Sequence, residues 1–165
     1  MKVRVLIILS LLVGIGAVLH AIIPPIFFGV KPDMLLSMMF LGIFFLLLSL
    51  ATGVMSALTT GAPGGQIANM IDKPLTAFIV LALFLALKDR LNMNITAPAL
   101  AGVGTLVSGS IFITVISIIA GIPEGGLISL FVLVVLPAAA VNLIIMLVVY
   151  PIVQGIFKRT NPASA

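Results

Sequence analysis

The sequence predicts an all-α membrane protein, a bundle of six transmembrane helices with short loops and both termini in the cytoplasm. Composition is the first support: 62% of the 165 residues are hydrophobic and 7% are charged, whereas a soluble domain carries about 25% charged residues. The second support is the clustering of charges, which leaves uncharged stretches such as 91–123 and 125–157. Because a charge at the bilayer centre costs about 2.5–3.5 kcal/mol, such stretches indicate helices embedded in lipid.

The chain is predicted to form one membrane domain, 1–165, in which each span needs about 20 apolar residues. Pro24-Pro25 end the first span, since proline cannot continue a helix. Lys2 and Arg4 resemble the start of a signal peptide, but the chain stays apolar afterwards, so a retained first helix is expected. Pro137 is a predicted kink in the last span, as is the later Pro151. The predicted spans are 5–23, 33–48, 49–62, 74–88, 96–120 and 126–157.

The stretch 33–62 fits either one long helix or two short ones. Cytoplasmic segments of membrane proteins carry an excess of Lys and Arg, and this rule favours two helices. Two helices place six basic residues inside, whereas one helix moves four of them outside. A turn is therefore expected near Leu48-Ser49 or at 51–53. The six predicted cytoplasmic residues are Lys2, Arg4, Lys88, Arg90, Lys158 and Arg159.

The two faces of this predicted bundle differ in charge. With Asp89, the inner residues carry a net charge of +5, and the outer ones carry −1, in agreement with the chain's formal +4. The outer acids Asp33, Asp72 and Glu124 each lie near a predicted helix start. There an acid either caps the helix by accepting backbone N–H bonds or binds a ligand, and both alternatives stay open.

The segment 61–74 combines glycines and prolines with four polar side chains. If 66–73 is helical, Gln66, Asn69 and Lys73 share one face, and Asn69 neighbours Asp72. An adjacent acid and base with two amides would suit a zwitterionic ligand, because lysine matches a carboxylate and aspartate an ammonium group. The alternative is a solvated external loop.

Four further residues are candidates for binding or docking. His20 lies near the outer end of the first span, where it either bonds a neighbouring helix or contacts a ligand. Asn142 lies inside the last span, and a buried amide needs a partner in the protein or the substrate. Ala17 and Ala21, four residues apart, permit close helix approach, either within the protein or with another membrane protein.

Several functions are disfavoured by missing residues. The chain has no phosphate-binding glycine loop, so it is not expected to hydrolyse ATP. One histidine and no cysteine argue against a metal site or a catalytic triad. We expect neither an enzyme nor a cofactor. No acid is expected inside a span, which argues against a proton relay. A transporter of this kind would need energy from a partner.

The six short-looped helices, the Ala17/Ala21 pair, and Pro137 followed by Asn142 resemble the substrate-binding S components of energy-coupling factor (ECF) transporters. Within that group, the sequence is similar to the tryptophan-transport family over nearly its whole length. The similar stretches are 20–25 (HAIIPP), 31–34 (KPDM) with 38–40 (MMF), 63–66 (PGGQ) through 69 to 71–73 (IDK), and 150–153 (YPIV) before 158–159 (KR).

The resemblance implies a cell-membrane protein of a prokaryote that binds tryptophan from outside with high affinity. A membrane coupling subunit would dock on Ala17 and Ala21, and two cytoplasmic ATPases would drive uptake. The pocket would include the region of Lys31, the Asp72-Lys73 pair and Asn142. Two alternatives remain: an S component for another small molecule such as a vitamin, or a stand-alone secondary transporter.

Overall fold

The computed structural model describes residues 3–22, 46–121 and 124–160. All regular structure in these ranges is helical, as the fold-class prediction requires. The elements are α1 (Val3–Ile22), α2 (Leu46–Thr59), α3 (Gly65–Leu87), α4 (Met93–Ala120), α5 (Glu124–Leu130), π1 (Phe131–Val135, a π-helical segment) and α6 (Leu136–Thr160). The last three follow one another without a break.

Three helical stretches of the described chain are long and apolar enough to cross a membrane, namely Gly65–Leu87, Met93–Ala120 and Gly126–Gly155. Their outer surfaces carry large exposed hydrophobic side chains, among them Ile118 at 79% and Ile128 at 70% exposure. Such surfaces suit lipid rather than water. Most of the second predicted span, 33–48, lies outside the described residues.

Local signals in the sequence explain where α3 begins and where α4 begins and ends. Gly64 precedes α3 with a φ of 75°, a left-handed conformation that glycine adopts without strain. The Asn92 side chain caps α4 by accepting a hydrogen bond of 3.0 Å from the Asn94 N–H. Gly121 ends α4 with a φ of 68°, and its N–H donates to the Ser117 carbonyl.

The helices pack in an order that places α3 and α4 at the centre. α3 contacts α2 on one side and α4 on the other, and α4 also contacts α6, while α1 contacts α2. Short connections at 60–64 and 88–92 make α2, α3 and α4 successively antiparallel. An apolar core fills one end of this arrangement, formed by Val80, Phe84, Leu100, Ala101 and Met146.

The predicted start of the fourth span at residue 74 is wrong, because α3 begins at Gly65 and runs through Pro74. Proline removes one backbone hydrogen bond from a helix. A hydrogen bond that spans Pro74 stabilises the helix: the Thr76 hydroxyl donates to Asp72 Oδ1 at 2.7 Å, and both side chains are fully buried. Packing and polar contacts therefore override the local signal of proline.

The turn expected near Leu48-Ser49 or at 51–53 is also wrong, because α2 is continuous from Leu46 to Thr59. The third predicted span, 49–62, is accordingly displaced. Gly53 serves packing instead of a turn: a Cβ at this position would lie 3.3 Å from the Asn69 carbonyl oxygen of α3. Glycine thus allows α2 and α3 to approach closely.

The last predicted span, 126–157, is a continuous helical stretch that includes Pro137 and Pro151. π1 ends two residues before Pro137, where the helix loses a backbone donor. Gly109 of α4 faces π1, because a Cβ on Gly109 would overlap the Val135 side chain. The pairing of a glycine with a stiff β-branched residue brings α4 and π1 together.

Replacing Gly109 with alanine is expected to destabilise the protein. Overpacking against Val135 costs about 1–3 kcal/mol, which opposes a gain of about 1 kcal/mol in helix propensity. The thermal midpoint in detergent should fall by a few degrees, since 1 kcal/mol corresponds to about 2–4 °C for a chain of this size. Gly155→Ala is the matched control, because a Cβ on Gly155 meets nothing within 4 Å. Equal rises in the midpoint for both variants would contradict the packing role of Gly109.

Candidate functional site

A buried ion pair lies inside the membrane-spanning helix α3. Asp72 is the eighth of its 23 residues and is 0% exposed, and Lys73 is 2% exposed. Lys73 Nζ lies 3.0 Å from Asp72 Oδ2. The structure decides between two pairs of alternatives: Asp72 is not a helix cap, and residues 66–73 are helical rather than part of a solvated loop. The expectation that no acid lies inside a span is wrong, because it placed the start of this helix at Pro74.

Two hydroxyl groups complete the surroundings of the Asp72 carboxylate. Thr76 donates to Oδ1 at 2.7 Å, and Ser108 of α4 donates to Oδ2 at 2.6 Å. Ser108 also accepts a hydrogen bond of 3.3 Å from Lys73 Nζ. The carboxylate thus has charge-assisted bonds on both oxygens, which a buried charge needs to be stable. We call Asp72, Lys73, Thr76 and Ser108 the ionic cluster.

The two predicted amides next to this cluster have different roles. Asn69 is buried, and its Nδ2 donates to the Ser56 carbonyl of α2 at 3.2 Å. It therefore links α2 to α3 in this structure. Gln66 is exposed near the start of α3, two helical turns before Lys73. The structure brings Asp72 and Lys73 together with Ser108, but leaves Gln66 apart from them.

A second buried polar contact joins α4 to α6. Asn142 is 0% exposed, and its Nδ2 donates to Thr105 Oγ1 at 3.0 Å. The Thr105 hydroxyl in turn donates to the Ala101 carbonyl at 2.7 Å. The NH₂ group of the Asn142 amide therefore has a partner within the protein. We call Thr105 and Asn142 the amide contact.

The ionic cluster and the amide contact meet on α4. Thr105 and Ser108 are both buried and three residues apart, so they are neighbours on one helix face. The polar residues of α3 and α6 therefore approach adjacent positions of the same helix. The apolar core lies directly beyond, starting at Ala101, one turn before Thr105. Together these groups form a polar layer between three helices, bordered by apolar side chains.

The remaining candidates lie elsewhere or outside the described residues. His20 is half-buried two residues before the end of α1, Ala17 is half-buried, and Ala21 is exposed. Lys31 and Asp33 lie outside the described residues. Ser108, Thr76 and Thr105 are not among the site residues predicted from the sequence. The spacing of Thr76, four residues after Asp72, was the available signal for one of them.

Buried charges in lipid-spanning helices are costly and usually mark a path or site for a polar solute. An ion pair offers one group of each sign, and the nearby hydroxyl and amide groups offer directional hydrogen bonds. The fold and the polar layer therefore define a multi-pass membrane protein of the transport type.

Comparison with known proteins identifies the family. The family model described as "Tryptophan transporter TrpP" matches residues 2–158, and the chain belongs to this family. Its placement in the cell membrane as a multi-pass protein agrees with the apolar helices. The family resemblance and the membrane location predicted from the sequence are thus confirmed.

Three curated relatives support the same assignment, each named "Probable tryptophan transport protein". The Bacillus subtilis (strain 168) protein is 46% identical over 168 residues, covering 98% of this chain and 96% of the relative. The Clostridium acetobutylicum protein is 37% identical, covering 93% and 94%. The Clostridium perfringens protein is 36% identical, covering 92% of each chain. No solved structure matches the chain significantly.

Breaking the buried ion pair by changing one partner is expected to destabilise the protein strongly. Asp72→Asn or Lys73→Met alone should cost about 3–5 kcal/mol, because each leaves an uncompensated buried charge. The double variant should cost less than the sum of the two single variants. Chemical denaturation in mild detergent would measure the three free energies of unfolding.

The exposed pair Lys88–Asp89 supplies the control for this double-variant cycle. Its atoms are 4.0 Å apart, and the side chains are 43% and 82% exposed. Solvent screens such a pair, so changing Lys88 to Met should have little effect on stability. Additive costs for Asp72 and Lys73 would show that the two charges are not coupled and would contradict the pairing.

Proposed function

We propose that this protein is the high-affinity tryptophan-binding S component of an ECF-type importer, and that partner ATPases supply the energy for uptake. The membership in the tryptophan transporter family supports the substrate. The observation that carries the site assignment is the ionic cluster, a cation and an anion held 3.0 Å apart inside a spanning helix. The proposal includes no enzymatic activity and no cofactor.

Binding in this proposal is an exchange of partners within the ionic cluster. In the structure, Asp72 and Lys73 neutralise each other, and Ser108 bridges them. The ligand carboxylate would take the place of the Asp72 carboxylate beside Lys73, and the ligand ammonium would pair with Asp72. The number of buried ion pairs then rises from one to two with no unpaired charge at either end. This balance is what a zwitterion requires and a singly charged ligand cannot provide.

Two other polar residues that were predicted to bind the substrate, Asn142 and Asn69, lie near the ionic cluster and support the proposal. Asn142 lies one helical turn along α4 from the ionic cluster, through its bond to Thr105. Asn69 is placed one turn before Lys73 on α3 and is buried. Lys31, Gln66 and His20 stay in the proposal as further contacts from the outer side of the membrane. Tryptophan fits this setting because its ring is apolar and its other end is charged.

Purified protein alone is expected to bind tryptophan without ATP, and to require both charges of the ligand. Tryptamine lacks the carboxylate and indole-3-propionate lacks the ammonium group, so each should bind at least about ten-fold more weakly than tryptophan. Isothermal titration in detergent would measure the three affinities. Tight binding of a vitamin in place of tryptophan would keep the S-component class and reject the substrate. Equal affinities for all three indoles would reject the ionic cluster as the zwitterion site.

The docking role of α1 gives a test of the energy-coupling part. Ala17→Leu and Ala21→Leu are expected to leave tryptophan binding unchanged and to abolish cellular uptake, because bulk on this face prevents close approach of a coupling subunit. Ile15→Phe is the control, since Ile15 is exposed. Ile15 and Ala17 are two residues apart and therefore lie on nearly opposite sides of the helix. Radiolabelled uptake and binding to the same membranes would be compared. Uptake that persists in both alanine variants would contradict docking at Ala17 and Ala21.

The buried acid gives specific support to a second candidate, a stand-alone secondary transporter. Asp72 lies within a spanning helix, where acids serve as proton or ion carriers in such transporters. Proteoliposomes that contain this chain alone distinguish the two proposals. Tryptophan accumulation driven by a proton or sodium gradient, and lost in Asp72→Asn, would favour the secondary transporter. Binding without accumulation would favour the S component.

A further inference from the structure

One buried acceptor of the polar layer receives no hydrogen bond from the described helices. Asn142 is fully buried, yet its Oδ1 has no hydrogen-bond partner among the described residues. Buried amide oxygens in folded proteins are nearly always bonded, so an exception calls for a physical explanation.

The orientation of the Asn142 amide is set by the residue that it contacts. The Thr105 hydroxyl gives its single proton to the Ala101 carbonyl at 2.7 Å. Thr105 Oγ1 is therefore an acceptor toward Asn142, and the amide must turn its Nδ2 toward α4, where the distance is 3.0 Å. Oδ1 is left as a fixed, pre-oriented acceptor on the other side of the same amide.

The position of this acceptor relative to the ionic cluster limits what can reach it. Thr105 and Ser108 are neighbours on α4, with about 5–6 Å expected between Cβ atoms three residues apart. Ser108 bonds both Asp72 and Lys73. A ligand whose charged groups bind the ionic cluster would therefore have its uncharged atoms near Asn142, about one helical turn from the cluster. In tryptophan, the indole nitrogen is separated from the amino acid group by a comparable span.

We infer that Asn142 Oδ1 accepts a hydrogen bond from the indole N–H of bound tryptophan, which makes Asn142 the residue that selects the indole ring. The inference rests on the proposed function, in which the ionic cluster holds the zwitterion. The indole N–H is a donor only, and Oδ1 is an acceptor only, so the two groups are complementary. Met146, one turn after Asn142 and 1% exposed, supplies a polarizable thioether for the ring. Phenylalanine has no donor to offer and would leave the acceptor unpaired.

The test varies one ligand atom and one side chain. 3-Benzothienylalanine has the shape of tryptophan but carries sulfur in place of the indole N–H. The wild-type protein should bind tryptophan at least about ten-fold more tightly than this analogue. In Asn142→Leu, which removes the acceptor at similar volume, the ratio of the two affinities should fall close to one, mainly through weaker tryptophan binding. Isothermal titration would give both affinities for both proteins.

Each outcome of this test has a defined meaning. A ratio near one in the wild-type protein would overturn the inference without use of any variant, as would an unchanged ratio in a folded Asn142→Leu. In both cases tryptophan would still bind, and the proposed function would stand. Absence of tryptophan binding by the wild-type protein would instead overturn the proposed function and the inference together. Ser110→Ala is the control, because Ser110 bonds only its own helix at Leu106, and it should leave both affinities unchanged.

Discussion

The pairing of Asp72 with Lys73 is the constraint on which the packing of the central helices depends. Neither charge is stable alone in the interior of a membrane protein, because desolvation costs several kcal/mol per ion. The pair must therefore be surrounded by hydrogen-bonding groups, and Thr76 and Ser108 provide them. Since Ser108 belongs to α4, satisfying the charge on α3 also fixes how α3 and α4 face each other. A helix that bears Pro74 near its charged residues is thereby kept continuous.

α4 connects this charged region to the last helix. Ser108 bonds α3, Thr105 bonds Asn142 of α6, and both are buried on one face. Glycines of α4 permit the close contacts that such short side chains require: a Cβ on Gly102 would lie 3.1 Å from Leu143 Cδ1. Close helix packing through small residues is typical of membrane proteins, where water does not drive helices together. The polar layer and the close packing of α4 and α6 are thus two results of the same arrangement.

Part of the site followed from residue types alone, and part depended on contacts between distant residues. Asp72, Lys73, Asn69 and Asn142 were identified because polar side chains are rare in so apolar a chain. Ser108 was not predicted as part of the site, since nothing local in α4 indicates a charge 36 residues away. Gln66 shares the helical face of Lys73, but it lies at the exposed end of α3, apart from the ionic cluster. Helical periodicity predicts the face of a side chain, and it does not predict its depth in the bundle.

The sequence by itself determined the membrane class, because lipid excludes charge and demands helical backbone bonding. Similarity over nearly the whole length also determined the family. The sequence also located the acid and the base that matter. Only the tertiary structure decided that α3 begins at Gly65, that α2 is continuous through Gly53, and that Asp72 is buried. The physical reason is that glycine and proline are ambiguous locally. Each can end a helix or allow neighbouring helices to approach, and the energy of packing against those neighbours determines which occurs.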